Sequence, residues 1–186
     1  KLESKGLVEK IDDKYKHTVR LCYKCNTLIE PQVKSQWFVK MKPLAESVID
    51  SINKKEVTYI PDHYEKITLH WLNNIIDWNI SRQIVWGIPI PAKICDECEV
   101  GVPDLENKIS KCPKCSHEMR QDTDTFDTWF SSGQWPFAAL GGFPGNKDFK
   151  TFYPTQVMET AGEIIFFWVS RMLMLGKYMT GHLPFK

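Results

Sequence analysis

The chain of 186 residues is 42% apolar and 12% aromatic, which is enough apolar surface to fold around a hydrophobic core. Its 24 basic and 23 acidic residues give a formal net charge of +1, which excludes a general charge attraction to nucleic acid and leaves only local patches for such contacts. The most apolar run, 164–169, is much shorter than the ~20 residues that cross a bilayer, so we expect no membrane partner.

Short strands and one helix are predicted for the first part of the chain. Aromatic and β-branched residues predict three strands, at 17–22, 36–41 and 57–60. A helix is predicted at 43–53, where apolar residues recur at intervals of three and four: Leu44, Val48, Ile49 and Ile52.

The rest of the chain is predicted to alternate helices with loops and one strand. A second amphipathic helix is predicted at 63–78 from the spacing of Ile67, Trp71, Leu72, Ile75 and Ile76. An extended segment follows, because helix-breaking residues cluster at Gly87, Pro89 and Pro91. Glycine and proline predict a loop at 141–145, before a short strand at 156–158 and a long helix at 162–179. A strand, a turn and a helix in that order indicate an α/β unit.

All six cysteines occur in Cys-x2-Cys pairs. Two of the pairs are close in sequence, and their four thiolates can surround one Zn²⁺ tetrahedrally: Cys95, Cys98, Cys112 and Cys115. Because four thiolates leave no coordination position for water, we interpret this metal as structural and not catalytic. The third pair, Cys22 and Cys25, lacks a second half and either takes ligands from elsewhere or stays without metal. The pairing favours metal binding in a reducing cytoplasm over disulfide bonds.

Five short strings are informative as a set. They are Cys22-Tyr-Lys-Cys25, Gln36-Trp-Phe-Val39, Asp77-Trp-Asn-Ile-Ser-Arg-Gln83, Asp127-Thr-Trp-Phe-Ser-Ser132 and Ile164-Ile-Phe-Phe-Trp-Val-Ser-Arg-Met172. In this order and spacing they resemble the class I aminoacyl-tRNA synthetases, and the tryptophan string is similar to that of the valine type. The resemblance covers essentially the whole chain.

The resemblance implies an α/β fold, the second half of a Rossmann-like class I catalytic core with an inserted four-cysteine zinc ribbon. It divides the chain into four parts. Residues 1–42 would be the strands that lead back from an inserted editing domain, with the unpaired Cys-x2-Cys knuckle, and residues 43–93 a core segment with the Ile-Ser-Arg-Gln motif. Residues 94–120 would be the zinc ribbon and residues 121–186 the second half of the core. The His-Ile-Gly-His and Lys-Met-Ser-Lys-Ser motifs of this class do not occur in the sequence. We therefore expect an internal fragment that is inactive alone.

The activity implied by the resemblance is ATP-dependent activation of valine and its transfer to tRNA(Val). ATP and Mg²⁺ would be substrates of the complete enzyme, Zn²⁺ would be structural, and the location would be cytoplasmic. One alternative is a fragment of an isoleucine-type synthetase, although that type usually carries Asp-Val-Trp-Phe-Asp-Ser in place of the string at 127–132. The other is a non-catalytic zinc ribbon that binds RNA, which the near-zero net charge disfavours.

The resemblance also implies a pocket for the valine side chain, formed by Trp129, Ile164 and Trp168. Flat aromatic rings are rigid walls that would exclude a larger side chain. Trp135 is interpreted as an ordinary core residue. Relatives place a second cysteine pair upstream of the editing insertion, so Cys22 and Cys25 resemble one half of a second zinc site.

Two charged residues are further candidates. Glu163 stands where relatives usually carry an aspartate that binds the ATP ribose, and its alternative role is to interact with the helix dipole. Arg82 is the candidate for binding phosphate or the tRNA acceptor end, because a guanidinium binds phosphate oxygens bidentately. Its alternative role is an internal ion pair with a carboxylate such as Asp77.

Overall fold

The computed structural model describes residues 1–142 and 146–186, so residues 143–145 of the predicted loop lie outside the described part. The chain divides into two compact units, Lys1–Ser35 and Gln36–Lys186. The first unit contains a 3₁₀ turn at Glu3–Lys5 and an isolated antiparallel bridge between Leu21 and Leu28. The strand predicted at 17–22 is therefore wrong beyond that single bridge.

The second unit contains most of the regular structure. Its helices are α1 (Met41–Asn53), α2 (His63–Asn73), α3 (Thr128–Ser132), α4 (Trp135–Ala138), α5 (Lys147–Phe152) and α6 (Ser170–Thr180). A 3₁₀ turn at Gly162–Ile164 and a π-helical segment at Ile165–Val169 run directly into α6. The long helix predicted at 162–179 is thus present, but its first part is not α-helical. No helix in the described residues is long and apolar enough to span a membrane.

In the described part of the chain, seven short strands form three small antiparallel sheets. The strands are β1 (Phe38–Val39), β2 (Trp78–Asn79), β3 (Ser81–Arg82), β4 (Ala92–Cys95), β5 (Val100–Pro103), β6 (Arg120–Gln121) and β7 (Thr125–Phe126). β1 pairs with β2, β3 pairs with β7, and β4 lies between β5 and β6. The observed mixture of helices and sheets confirms the expected mixed α/β class.

The first predicted helix is confirmed by α1, but the second extends too far. α2 ends at Asn73, because Trp78 pairs with Val39 across the β1–β2 sheet. The strands predicted at 57–60 and 156–158 do not form. Val57 instead buries its side chain in the core, and next to the second segment a single bridge joins Thr155 to Phe185 within the described residues.

The main hydrophobic core lies among α1, α2 and α6. Its most deeply buried side chains are Val48, Ile52, Leu72, Met172, Leu173 and Met174. Each fully buried aliphatic side chain of this size stabilises the fold by roughly 1.5–3 kcal/mol. A smaller cluster joins α4 and α5 to the same α6 helix through Phe137, Phe149, Tyr153 and Leu175. The helix that follows the π segment therefore connects both parts of the core.

Trp37 holds the three-stranded sheet against the rest of its unit. Its indole Nε1 donates a hydrogen bond to Asp122 Oδ2 at 2.6 Å, and its backbone N–H donates to Ser81 Oγ at 3.0 Å. A Cβ on Gly101 of β5 would lie only 2.7 Å from two ring atoms of Trp37. Glycine is therefore required here for space, so that the ring can lie directly on the strand.

We expect Gly101→Ala to destabilise the protein by about 1–3 kcal/mol, because the added methyl group must displace a ring that its hydrogen bond holds in place. Urea unfolding of the variant measures this cost. In a Trp37→Leu background the same substitution should cost clearly less, since the obstructing ring is gone. An equal cost in both backgrounds would show that the clash with Trp37 is not the cause.

Candidate metal centre and tryptophan cluster

Four cysteine sulfurs converge beside the turn that joins β4 to β5 of the three-stranded sheet. Sγ of Cys95 lies 3.4 Å from Sγ of Cys115, and Sγ of Cys98 lies 3.4 Å from Cys112 and 3.6 Å from Cys115. All four sulfurs are within 4.8 Å of one another. Tetrahedral zinc with Zn–S bonds of about 2.3 Å separates its sulfurs by about 3.8 Å, so this arrangement fits one metal ion of that kind.

The turns that present these sulfurs have a shared backbone geometry. Cys112 N–H donates to His117 O at 2.8 Å, and Ser116 N–H donates back to Cys112 O at 2.9 Å. Ser116, just after the second cysteine, has a φ of 62°, and Glu99 has a φ of 52° at the matching position of the other knuckle. This left-handed residue reverses the chain tightly enough for both cysteines of a pair to face one point.

The unpaired knuckle in the first unit has the same turn. Cys22 N–H donates to Thr27 O at 2.9 Å, Asn26 N–H donates to Cys22 O at 2.8 Å, and Asn26 has a φ of 56°. Hydrogen bonding to Thr27 lowers the pKa of Cys25, which favours the thiolate form. The pair is thus shaped like one half of a cysteine metal site.

The proton affinities of the four clustered sulfurs differ. Burial raises the pKa of Cys112, but hydrogen bonds from the backbone N–H groups of Lys114 and Cys115 outweigh it and bring the pKa to about 6. The hydrogen bond to Cys112 raises the pKa of Cys98 to about 12. Cys112 thus favours the thiolate form and Cys98 the thiol form, whereas binding of a metal ion requires deprotonated sulfurs.

Asp127 lies at the centre of the tryptophan cluster, by which we mean Trp78, Trp129, Trp168 and the side chains in contact with them. Its carboxylate is buried, and Oδ1 accepts a hydrogen bond from the backbone N–H of Trp129 at 3.0 Å, which caps the N-terminus of α3. Oδ2 accepts from Trp78 Nε1 at 2.9 Å and from an Arg82 guanidinium nitrogen at 2.6 Å. One carboxylate thus connects a strand, a helix and two long side chains.

Arg82 forms an internal ion pair, but with Asp127 and not with Asp77. Its other terminal nitrogen donates to the carbonyls of Asn79 and Ser81 at 3.0 and 2.8 Å. Asp77 instead accepts from the backbone N–H of Met41 at 3.1 Å, at the start of α1. The pairing follows from the β3–β7 sheet, which places Arg82 opposite Thr125.

The predicted pocket tryptophans lie on two segments in contact. Trp129 on α3 stacks on Phe167 with 5.9 Å between ring centroids, and Trp168 donates from Nε1 to the Ser132 carbonyl at 3.0 Å. The π-helical stretch therefore holds α3 at both ends. Trp129, Ile164 and Trp168 are all half-buried.

Two further predictions concern surface positions. Glu163 lies exposed in the 3₁₀ turn that precedes the π segment. Trp135 is 61% exposed, so its interpretation as a core residue is wrong. Pro136 and Phe137 of the same short helix are buried instead, which turns Trp135 outwards.

Sequence reasoning missed two residues of this cluster, Asp127 as its centre and Arg171 as a buried cation. An aspartate directly before a short helix is an N-cap signal, so the capping role of Asp127 was available from the sequence. Arg171 occurs in an apolar helix, where it is 8% exposed. A charged residue among buried apolar neighbours is itself the signal that was overlooked.

Comparison with known proteins shows the family to which this chain belongs. A family model described as tRNA synthetases class I (I, L, M and V) matches residues 4–186. Relatives named valine–tRNA ligase are 47% identical over 186 residues in Carboxydothermus hydrogenoformans, 46% over 188 in Petrotoga mobilis and 46% over 186 in Treponema denticola. These alignments cover 99–100% of this chain but 20–21% of each relative, so the chain spans about a fifth of their length.

Among solved structures, a chain from the ternary complex of Agrobacterium radiobacter K84 LeuRS with tRNA and LeuAMS is 22% identical, with a TM-score of 0.48. The match covers 60% of this chain and 18% of that one. A likeness of this strength adds nothing to the family match.

Proposed function

Because the chain belongs to the class I tRNA synthetases for isoleucine, leucine, methionine and valine, we propose that it is part of a valine–tRNA ligase. The observation that carries the proposal is the 46–47% identity, over essentially the whole chain, to ligases specific for valine. The complete enzyme would use ATP and Mg²⁺ to activate valine and would transfer it to tRNA(Val). The relatives favour this function over the isoleucine-type fragment and the non-catalytic RNA-binding ribbon.

The proposed valine pocket consists of Trp129, Ile164 and Trp168. The proposal is supported by the contacts that fix both tryptophan rings: Trp129 stacks on Phe167, and Trp168 donates a hydrogen bond to the Ser132 carbonyl. Rings fixed in this way can exclude a side chain one methylene larger by shape. They cannot exclude threonine well, since it is nearly isosteric with valine.

The proposed metal is one structural Zn²⁺ held by Cys95, Cys98, Cys112 and Cys115, whose spacing and thiolate character suit it. A closed set of four thiolates supplies no activated water, so its role is to hold the strands of the module together. The matching turn geometry supports Cys22 and Cys25 as half of a second site.

Two exposed charges are proposed to bind the nucleotide and the tRNA. Glu163 lies on the surface just before the segment with Trp168, where its carboxylate is free to accept hydrogen bonds from ribose hydroxyls. Arg82 is 39% exposed despite its ion pair, and its outward edge is proposed to contact phosphate or the tRNA acceptor end.

The proposed organisation of the chain keeps the four parts 1–42, 43–93, 94–120 and 121–186. The division between the two compact units, at Ser35–Gln36, supports a separate first part. The β4–β6 sheet with its cysteines supports the third. A cytoplasmic location, where thiolates stay reduced, is part of the same proposal.

A chimera tests the function. We expect that the Carboxydothermus hydrogenoformans ligase, with its matching fifth replaced by this chain, retains valine-dependent exchange of pyrophosphate into ATP. Trp129→Ala in the chimera should lower kcat/KM for valine by roughly 100-fold, because a pocket wall is removed. Pyrophosphate exchange with valine, isoleucine and threonine is the measurement.

The matched control is Trp135→Ala, which removes an exposed ring from the neighbouring helix and should leave exchange unchanged. A chimera that folds and binds tRNA but prefers isoleucine would contradict the valine assignment. Equal activity of the two tryptophan variants would contradict the pocket.

A further inference from the structure

Arg171 is a buried cation inside an aromatic cage. It is the second residue of α6 and is 8% exposed. Its guanidinium carbon lies 3.7 Å from the ring centroid of Trp78, 6.0 Å from that of Phe166 and 5.7 Å from that of Phe167. The planar group therefore has one face against an indole, with its hydrogen-bonding edge directed elsewhere.

The hydrogen bonds of this guanidinium are incomplete. Nη1 of Arg171 is shielded from solvent and has no hydrogen-bond partner among residues 1–142 and 146–186. Burial lowers the pKa of Arg171, as expected when a charge leaves water. Attraction to aromatic rings recovers only part of the cost of burying an unpaired charge.

The nearby carboxylate is already used. Asp127 accepts hydrogen bonds from Trp78, Arg82 and Trp129, and its charge is paired directly with Arg82. It favours the charged form of Arg171 from a distance, whereas Arg82 opposes it. Two arginines and one aspartate thus leave one positive charge without a counter-ion within this cluster.

We propose that Arg171 binds a carboxylate group that the described residues do not supply. A carboxylate matches the planar edge of a guanidinium with two parallel hydrogen bonds, which would satisfy Nη1 and neutralise the extra charge. Phe167 lies between Arg171 and Trp129, in contact range of both. The bound group would therefore lie one ring away from Trp129.

Two sources carry this chemistry. One is the carboxylate of the amino-acid substrate, a source that rests on the proposed function. The other is an Asp or Glu side chain from the rest of a longer protein, since the chain spans about a fifth of its relatives. Both predict that the isolated site accepts a small carboxylate.

The test follows the Nε–H resonance of Arg171 in the ¹⁵N-labelled chain during titration with sodium acetate or L-valine, against sodium chloride at the same ionic strength. We expect a saturable shift with acetate. In Arg171→Met, which lacks this resonance, the indole N–H of Trp78 serves as the reporter, and the affinity for acetate should be about tenfold weaker or lower still. Valine saturating at lower concentration than acetate identifies the amino acid as the source. Equal or weaker binding of valine identifies an acidic side chain.

Two further variants serve as controls for this titration. Arg120→Met, which alters an exposed arginine paired with Asp96, should leave the acetate response unchanged. Arg171→Lys keeps the charge and should retain weakened acetate binding if Arg171→Met does not fold. The proposal is overturned if neither carboxylate gives a saturable shift in the unsubstituted chain, or if the response survives in Arg171→Met. Because the acetate arm does not involve valine, its failure is separate from a failure of the ligase assignment.

Discussion

Removal of the proposed zinc is expected to unfold the module formed by β4, β5 and β6 while the core of α1, α2 and α6 stays folded. Between residues 92 and 121 the buried side chains are few and small, and none is a large apolar one: Ala92, Cys95, Asp104 and Cys112. Such a segment has too little apolar surface to offset the entropy of ordering its backbone. The sulfur–metal bonds would supply the missing free energy.

Elemental analysis of the purified chain should give one zinc per chain, with four thiols protected from titration and two, Cys22 and Cys25, reactive. After chelation all six should react, and amide exchange should become fast in the module but stay slow in α1 and α6. Cys112→Ser should abolish zinc binding, whereas the matched Cys22→Ser should leave one zinc per chain. A chain without zinc, or a module that stays protected after chelation, would contradict a structural metal.

Asp127→Asn is expected to destabilise the protein by about 3 kcal/mol, which is large for a substitution that preserves size. An amide has only one acceptor oxygen, so it could serve either Trp78 Nε1 and the Arg82 guanidinium, or the backbone N–H of Trp129, but not both sets of donors. The positive charge of Arg171 would also lose the favourable interaction with the negative charge of Asp127. Chemical denaturation followed by tryptophan fluorescence measures the loss.

Asp96→Asn is the matched control, because it breaks an arginine–aspartate pair of the same kind on the surface. The Arg120–Asp96 pair has side chains that are 53% and 68% exposed, so its loss should cost less than about 1 kcal/mol. Similar costs for the two substitutions would mean that burial of Asp127 does not matter. In the chimera, Asp127→Asn should also reduce valine activation, since the amide cannot satisfy both the donors at Oδ2 and the backbone N–H of Trp129, and Trp129 is therefore positioned less firmly.

Local patterns predicted those elements whose neighbours in sequence are also their neighbours in space. The α1 helix follows from its apolar spacing, and the cysteine cluster follows from two tight turns separated by a short loop. The strands predicted at 57–60 and 156–158 failed because a strand requires a partner, and a propensity cannot say whether one is present. At the end of α2 the same limit appears, since Trp78 leaves the helical pattern to pair with Val39.

The sequence by itself determined which four cysteines come together, the core-facing stripe of α1 and, through the order of its motifs, the resemblance to class I synthetases. Only the tertiary structure decided that Arg82 pairs with Asp127, that one carboxylate serves Trp78 and Trp129 together, and that Nη1 of Arg171 has no hydrogen-bond partner among the described residues. The reason is distance along the chain. The geometry of a Cys-x2-Cys knuckle or a helix depends on residues a few positions apart. The Arg82–Asp127 pair instead joins groups more than 40 positions apart, and packing selects this carboxylate among several of equal chemistry.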